Sequence, residues 1–126
     1  MPSPNQDVDT LLEQWETVYK RGLLSFWIML LLSEREMYAY EMSDAIKALS
    51  NGTIVADDNS IYRALKRFGQ TGIIDSEKRA SESGPSRRYF WLTDSGRTLL
   101  QRFTERNILL FQQPAVMKAI NHITQA

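Results

Sequence analysis

Cysteine is absent from the 126 residues. That excludes a disulfide framework and a thiolate metal site, and it fits a reducing compartment. Histidine occurs once, as His122, so no His-rich metal spacing exists, and no Gly-rich phosphate loop follows any candidate strand. Long apolar runs are missing too. The longest, Leu23–Leu32, is broken by Ser25 and falls short of the roughly 20 residues that span a bilayer. The first residues hold Pro, Asn and Asp without a cationic start, so no signal peptide is expected. Glu34 with Glu36, and Asp57 with Asp58, are the nearest thing to paired carboxylates. Both pairs read as loop charges or helix caps. The expectation is a single cytoplasmic domain that is not an enzyme, with no cofactor, no metal and no membrane partner.

Net charge is also absent: 15 basic and 15 acidic side chains cancel. The distribution is uneven. Residues 1–59 hold four basic and ten acidic side chains, whereas residues 60–106 hold ten basic and five acidic. A local basic region matters more for contact with a polyanion than the total does.

Residues 1–6 carry no periodic pattern and are expected to be disordered. Val8, Leu11, Leu12, Trp15, Val18 and Tyr19 then recur at helical spacing and predict an amphipathic helix over 8–19. Gly22 is expected to break or bend the chain before the next element. Leu23–Leu32 is apolar nearly all round, which predicts a central core helix. A further helix is expected over 38–49, stopped by Asn51-Gly52, since both residues tolerate left-handed angles. Asp57, Asp58, Asn59 and Ser60 crowd the start of another helix that runs to about Gln70. Ile73-Ile74 and Arg87–Thr93 read as two strands around a turn-rich tip at 81–86. Asp94 or Ser95 is expected to cap a last helix that Pro114 kinks or divides. The expected fold is mainly α with a small two-stranded β-hairpin, a winged helix-turn-helix: an N-terminal extension over 1–22, a core over 23–93, and a C-terminal helix over 94–126.

On the helix from Asn59, a rotation of about 100° per residue places Ile61, Leu65 and Phe68 on the core side. Asn59, Arg63, Lys66, Arg67 and Gln70 lie opposite. All five offer hydrogen-bond donors and none is a carboxylate. Ordinary solvated faces mix Glu with Lys, so this composition points to a helix that reads DNA. Arg pairs with guanine O6 and N7, Asn or Gln with adenine, and both cations neutralise phosphate. Ser60 and Tyr62 join this set at the helix start. On the hairpin, Lys78-Arg79 precede the tip and Arg87-Arg88 follow it, where they can meet the phosphate backbone. Charges that blunt an exposed strand edge are the plain alternative.

The segments KRGLLSFWIMLLL (20–32), YAYEM (38–42), NSIYRALKRFGQTGII (59–74) and GPSRRYFWLTDSGRTLL (84–100) resemble the PadR family of bacterial transcriptional regulators. Two positions depart from the family pattern: Asn59 stands where members often have Gly, and Arg63 where they often have Pro. The resemblance implies a homodimer built from the terminal helices, with double-stranded DNA as partner and repression as the usual outcome. Val8, Leu11, Leu12, Trp15, Tyr19, Leu99, Phe103, Leu110 and Phe111 are the candidate dimer residues, and the C-terminal segment resembles the compact members. It also implies that a flat aromatic effector could lie at the dimer interface between tryptophans, here Trp15 and Trp27, although core and seam packing is the simpler role for both. A winged helix that binds protein instead of DNA is the other alternative.

Overall fold

The computed structural model describes residues 7–125; the expected disordered segment 1–6 lies outside them. Five α-helices and one small sheet follow in the order α1 Val8–Glu34, β1 Met37–Tyr38, α2 Ala39–Leu49, α3 Asp58–Gln70, β2 Ile74–Ser81, β3 Gly84–Leu92, α4 Asp94–Asn107 and α5 Pro114–Thr124, with a 3₁₀ turn over Leu109–Gln112 between the last two helices. This is the winged-helix arrangement the sequence predicts, with three differences in its elements and one in a helix cap.

First, Gly22 does not break the chain. One helix of 27 residues runs through it, about 40 Å long at 1.5 Å per residue. A mid-helix glycine costs only about 1 kcal/mol relative to alanine, too little to interrupt the backbone ladder, and the turns after it are anchored in the core. Ile28, Met29 and Leu32 are buried, with Leu24, Phe26, Trp27 and Leu31 packed against them. Second, the hairpin carries a third strand. Met37 pairs with Phe90 and Tyr38 with Tyr89, giving the antiparallel order β1-β3-β2. Third, the tip is tighter than residues 81–86. Ser81 already pairs with Gly84, and the register shifts between Arg79 and Ser81. Pro85 sits in β3 at that irregularity, where its missing N–H breaks no regular ladder bond.

The core gathers Ile28 and Leu32 of α1, Met42 and Ile46 of α2, Ile61, Ala64, Leu65 and Phe68 of α3, and Ile74, Phe90 and Leu92 of the sheet. Asn51 and Gly52 end α2 with φ of 58° and 77°, as their chemistry predicts. Pro114 divides the last helical segment by opening α5 at its first turn.

The joint between wing and α4 depends on two side chains. Thr93, rather than Asp94 or Ser95, is the N-cap: its Oγ1 accepts from the Gly96 N–H at 3.1 Å and donates to the Gly72 carbonyl at 2.7 Å. Gly96 is buried against the Ile73 backbone, and a Cβ there would fall 2.0 Å from the Ile73 carbonyl oxygen. Neither backbone can yield without dragging β2 or α4. Gly96→Ala is therefore expected to destabilise the fold by about 1–3 kcal/mol, read as a lowered midpoint in urea. An unchanged midpoint would show that the joint relaxes freely.

Candidate functional site

Helix α3 is positioned from its first turn. Asp57 is the N-cap, and its carboxylate accepts from the Ser60 N–H at 2.7 Å. That backbone bond, aided by the Ser60 side chain and the nearby Arg63 charge, holds the Asp57 carboxyl below its ordinary range. Ile61, Ala64, Leu65 and Phe68 are buried, so one side of the helix is fixed in the core. Asn59, Arg63, Lys66, Arg67 and Gln70 are exposed, as the periodicity predicts, and Tyr62 is exposed beside them. Ser60 is half-buried, and its hydroxyl accepts from Arg63 Nη2 at 3.2 Å, so it orients Arg63.

The hairpin stands beside this helix. Between them runs a cleft of about 840 Å³ bordered by Tyr40, Tyr62, Lys66, Ser76, Arg87 and Arg88. Tyr40, at the start of α2, was not foreseen as part of the site. Its only signal in the sequence is a large aromatic off the apolar stripe of its helix.

Strand alternation sorts the four wing cations. Lys78 lies directly opposite Arg88, and Arg79 directly opposite Arg87. Arg88 shares its face with Phe90, whereas Arg79 and Arg87 share the other with Tyr89. Like charges directly opposite one another repel, so each pair needs a local offset. Arg88 Nη1 donates to Ser76 Oγ at 3.0 Å. Arg87 lies over the Tyr38 ring at 4.5 Å. Arg79 pairs with Glu36 and Glu77, and Glu36 is held below its ordinary carboxyl range chiefly by the hydrogen bond from Arg79. Among the described residues, Arg63, Lys66, Arg67, Lys78, Arg87 and Arg88 form no ion pair. The arrangement presents free cations and amide donors to a ligand rich in negative charge and acceptors.

The description of the transcriptional regulator PadR-like family matches residues 28–102. The chain belongs to this family. Among solved structures, a PadR family transcriptional regulator from Eggerthella lenta is 25% identical with a TM-score of 0.68, over 89% of this chain and 94% of that one. A transcriptional regulator from Clostridium thermocellum is 27% identical with a TM-score of 0.64, over 73% of this chain and 89% of that one. Bacillus subtilis PadR in complex with operator DNA is 25% identical with a TM-score of 0.59, over 64% of this chain and 46% of that one. The PadR-like chain is thus a transcriptional regulator and not an enzyme. The segment 84–100 that resembles the family contains the Thr93–Gly96 joint described above.

The candidate dimer residues occupy two surfaces of the PadR-like fold. On the first half of α1, Val8, Leu11, Leu12, Trp15 and Tyr19 are exposed, Trp15 by 74%, and Val18 is exposed beside them. Toward the C-terminus, Leu99, Phe103 and Phe111 are exposed and Leu110 is half-buried. Phe103 also touches Phe26 of its own chain, with ring centroids 5.8 Å apart. Trp27 is half-buried, and its Nε1–H finds no acceptor among the described residues. Trp15 and Trp27 sit twelve residues apart on one continuous helix, about 18 Å along its axis. One protomer cannot clasp a single aromatic ring between them. No helix among the described residues is long and apolar enough to cross a membrane.

Proposed function

We propose that this chain binds double-stranded DNA sequence-specifically as a homodimer and represses the gene whose operator it occupies. The observation that carries this reading is the set of donors free of ion pairs among the described residues: Asn59, Arg63, Lys66, Arg67 and Gln70 on α3, with Lys78 and Arg88 on one face of the wing and Arg87 on the other. Helix α3 enters the major groove, where Arg63, Asn59 and Gln70 reach base edges, and the wing holds the adjacent phosphates. The likeness to PadR in complex with operator DNA supports double-stranded DNA as the ligand. Two copies of α3 related by a two-fold axis would meet half-sites about one helical turn apart, so the operator is two-fold symmetric.

The first half of α1 and the C-terminal segment supply the dimer surface. A flat aromatic effector, if bound there, would sit between Trp15 of one protomer and Trp27 of the other, since the two are too far apart within one chain.

Selection of bound duplexes from a random pool tests the reading and yields the operator. With that operator, Arg88→Ala is expected to weaken binding to all duplexes about equally. It should also make the slope of log affinity against log salt shallower by about one unit. A changed base preference with an intact slope would move Arg88 from phosphate to base contact. A winged helix that binds protein instead would select no duplex and show no such slope.

A further inference from the structure

One of the four wing cations is already fully engaged. Arg79 starts on β2, passes over the Tyr89 ring of β3 at 4.8 Å, and ends on Glu36, the residue before β1. Its Nη2 donates to Glu36 Oε2 at 3.1 Å, Nη1 donates to the other Glu36 oxygen, and Nε donates to Glu77 Oε1 at 3.3 Å. A carboxylate gripped by both terminal nitrogens is the strongest geometry available to a guanidinium. The side chain is only 35% exposed. Beside it, Tyr38 and Tyr89 meet edge to face at 5.6 Å, and Arg87 rests on Tyr38. The result is a layer of two arginines and two tyrosines laid across all three strands, on the face opposite Arg88 and Phe90.

That layer answers a mechanical problem. Strand β1 is two residues long and contributes two paired positions, too few to fix the angle of a hairpin whose strands run eight and nine residues. Glu36 sits two residues beyond the end of α1, the helix whose other end carries the exposed apolar stripe. The Arg79–Glu36 contact therefore fastens the outer strand of the wing to the chain leaving α1.

We propose that Arg79 and Glu36 are positioning residues: together they strap the wing at the angle that presents Lys78 and Arg88 beside α3, and Arg79 is not itself a phosphate ligand. The second half of this statement rests on the DNA-binding reading; the strap itself does not.

The competing role for Glu36 is a mask that occupies Arg79 until DNA displaces it. The two roles predict opposite signs. For the free protein, hydrogen exchange would be followed in wild type, Glu36→Ala and Arg79→Ala. The strap predicts about fivefold faster exchange at wing amides in both variants, with the buried turns of α1 and α3 unchanged. A general loss of stability would raise every site together. For the complex, affinity for the selected duplex would be measured against salt. Both variants should bind about three- to fivefold more weakly, because fewer molecules hold the competent wing, with the salt slope of wild type retained. Tighter binding and a steeper slope in Glu36→Ala would overturn the strap in favour of the mask. Wing exchange equal to wild type in both variants would overturn it without any DNA present. Wild-type affinity that ignores salt would instead defeat the DNA-binding reading, while the exchange result would still judge the strap.

Discussion

Arg63→Ala is expected to lower affinity for the selected duplex at least about tenfold while leaving the melting temperature nearly unchanged. Arg63 is exposed, lies opposite the buried side of α3, and is steadied by its bond to the Ser60 hydroxyl. Removing it takes nothing from the core. A lost base-edge contact costs about 1–3 kcal/mol per site, and a dimer on a symmetric operator loses it twice. Discrimination should also relax at the two symmetry-related base pairs that Arg63 reads. Leu65→Ala separates this effect from simple loss of the helix. Leu65 is 2% exposed, so its truncation should destabilise the fold by about 2–5 kcal/mol. Binding would then fall only as far as folding does. Titration of the selected duplex alongside thermal unfolding of both variants checks the pair.

Deletion of residues 1–19 is expected to convert the dimer to monomer and to weaken operator binding by about a hundredfold or more. The buried residues of α1 are Ile28, Met29 and Leu32, so the deletion spares the core while removing the exposed stripe from Val8 to Tyr19. An exposed run of six large apolar side chains on one helix supports the proposed dimer surface over ordinary scatter. Once the protomers part, each half-site is bound independently, and the linkage advantage of about 10²–10⁴ disappears. Sedimentation gives the oligomeric state and titration gives the affinity. A truncated chain that stays fully dimeric would assign the seam to the C-terminal residues Leu99, Phe103, Leu110 and Phe111 alone.

What could be read in the sequence was whatever local chemistry determines. The face of α3 follows from a 3.6-residue period, and the stop at Asn51-Gly52 follows from residues that accept positive φ. The features that escaped depend on partners remote in the chain. Strand β1 has no pattern of its own; two residues become a strand because Tyr89 and Phe90 lie beside them. The Arg79–Glu36 contact joins positions 43 residues apart, and a basic residue next to a wing tip gives no sign of which face of the strand it takes. Gly22 misled for a different reason. The core helix from Leu23 was legible, but a single glycine costs only about 1 kcal/mol, too little to interrupt the backbone ladder that carries α1 from Val8 to Glu34. Thr93 could have been recognised as the cap, because its hydroxyl stands three residues before Gly96, the spacing of an N-cap acceptor to its N3 donor.

The central claim is that α3 and the wing form a DNA-reading surface. Its most direct test is the affinity of wild-type protein for a selected and a scrambled duplex between about 50 and 200 mM salt, a range over which six to ten phosphate contacts cost about 10³–10⁵ in affinity. The account predicts that both affinities fall steeply with salt, with a slope near −0.9 per phosphate neutralised, and that the selected duplex binds tighter throughout by about 10³ or more. Equal affinities for the two duplexes, or binding indifferent to salt, would contradict it.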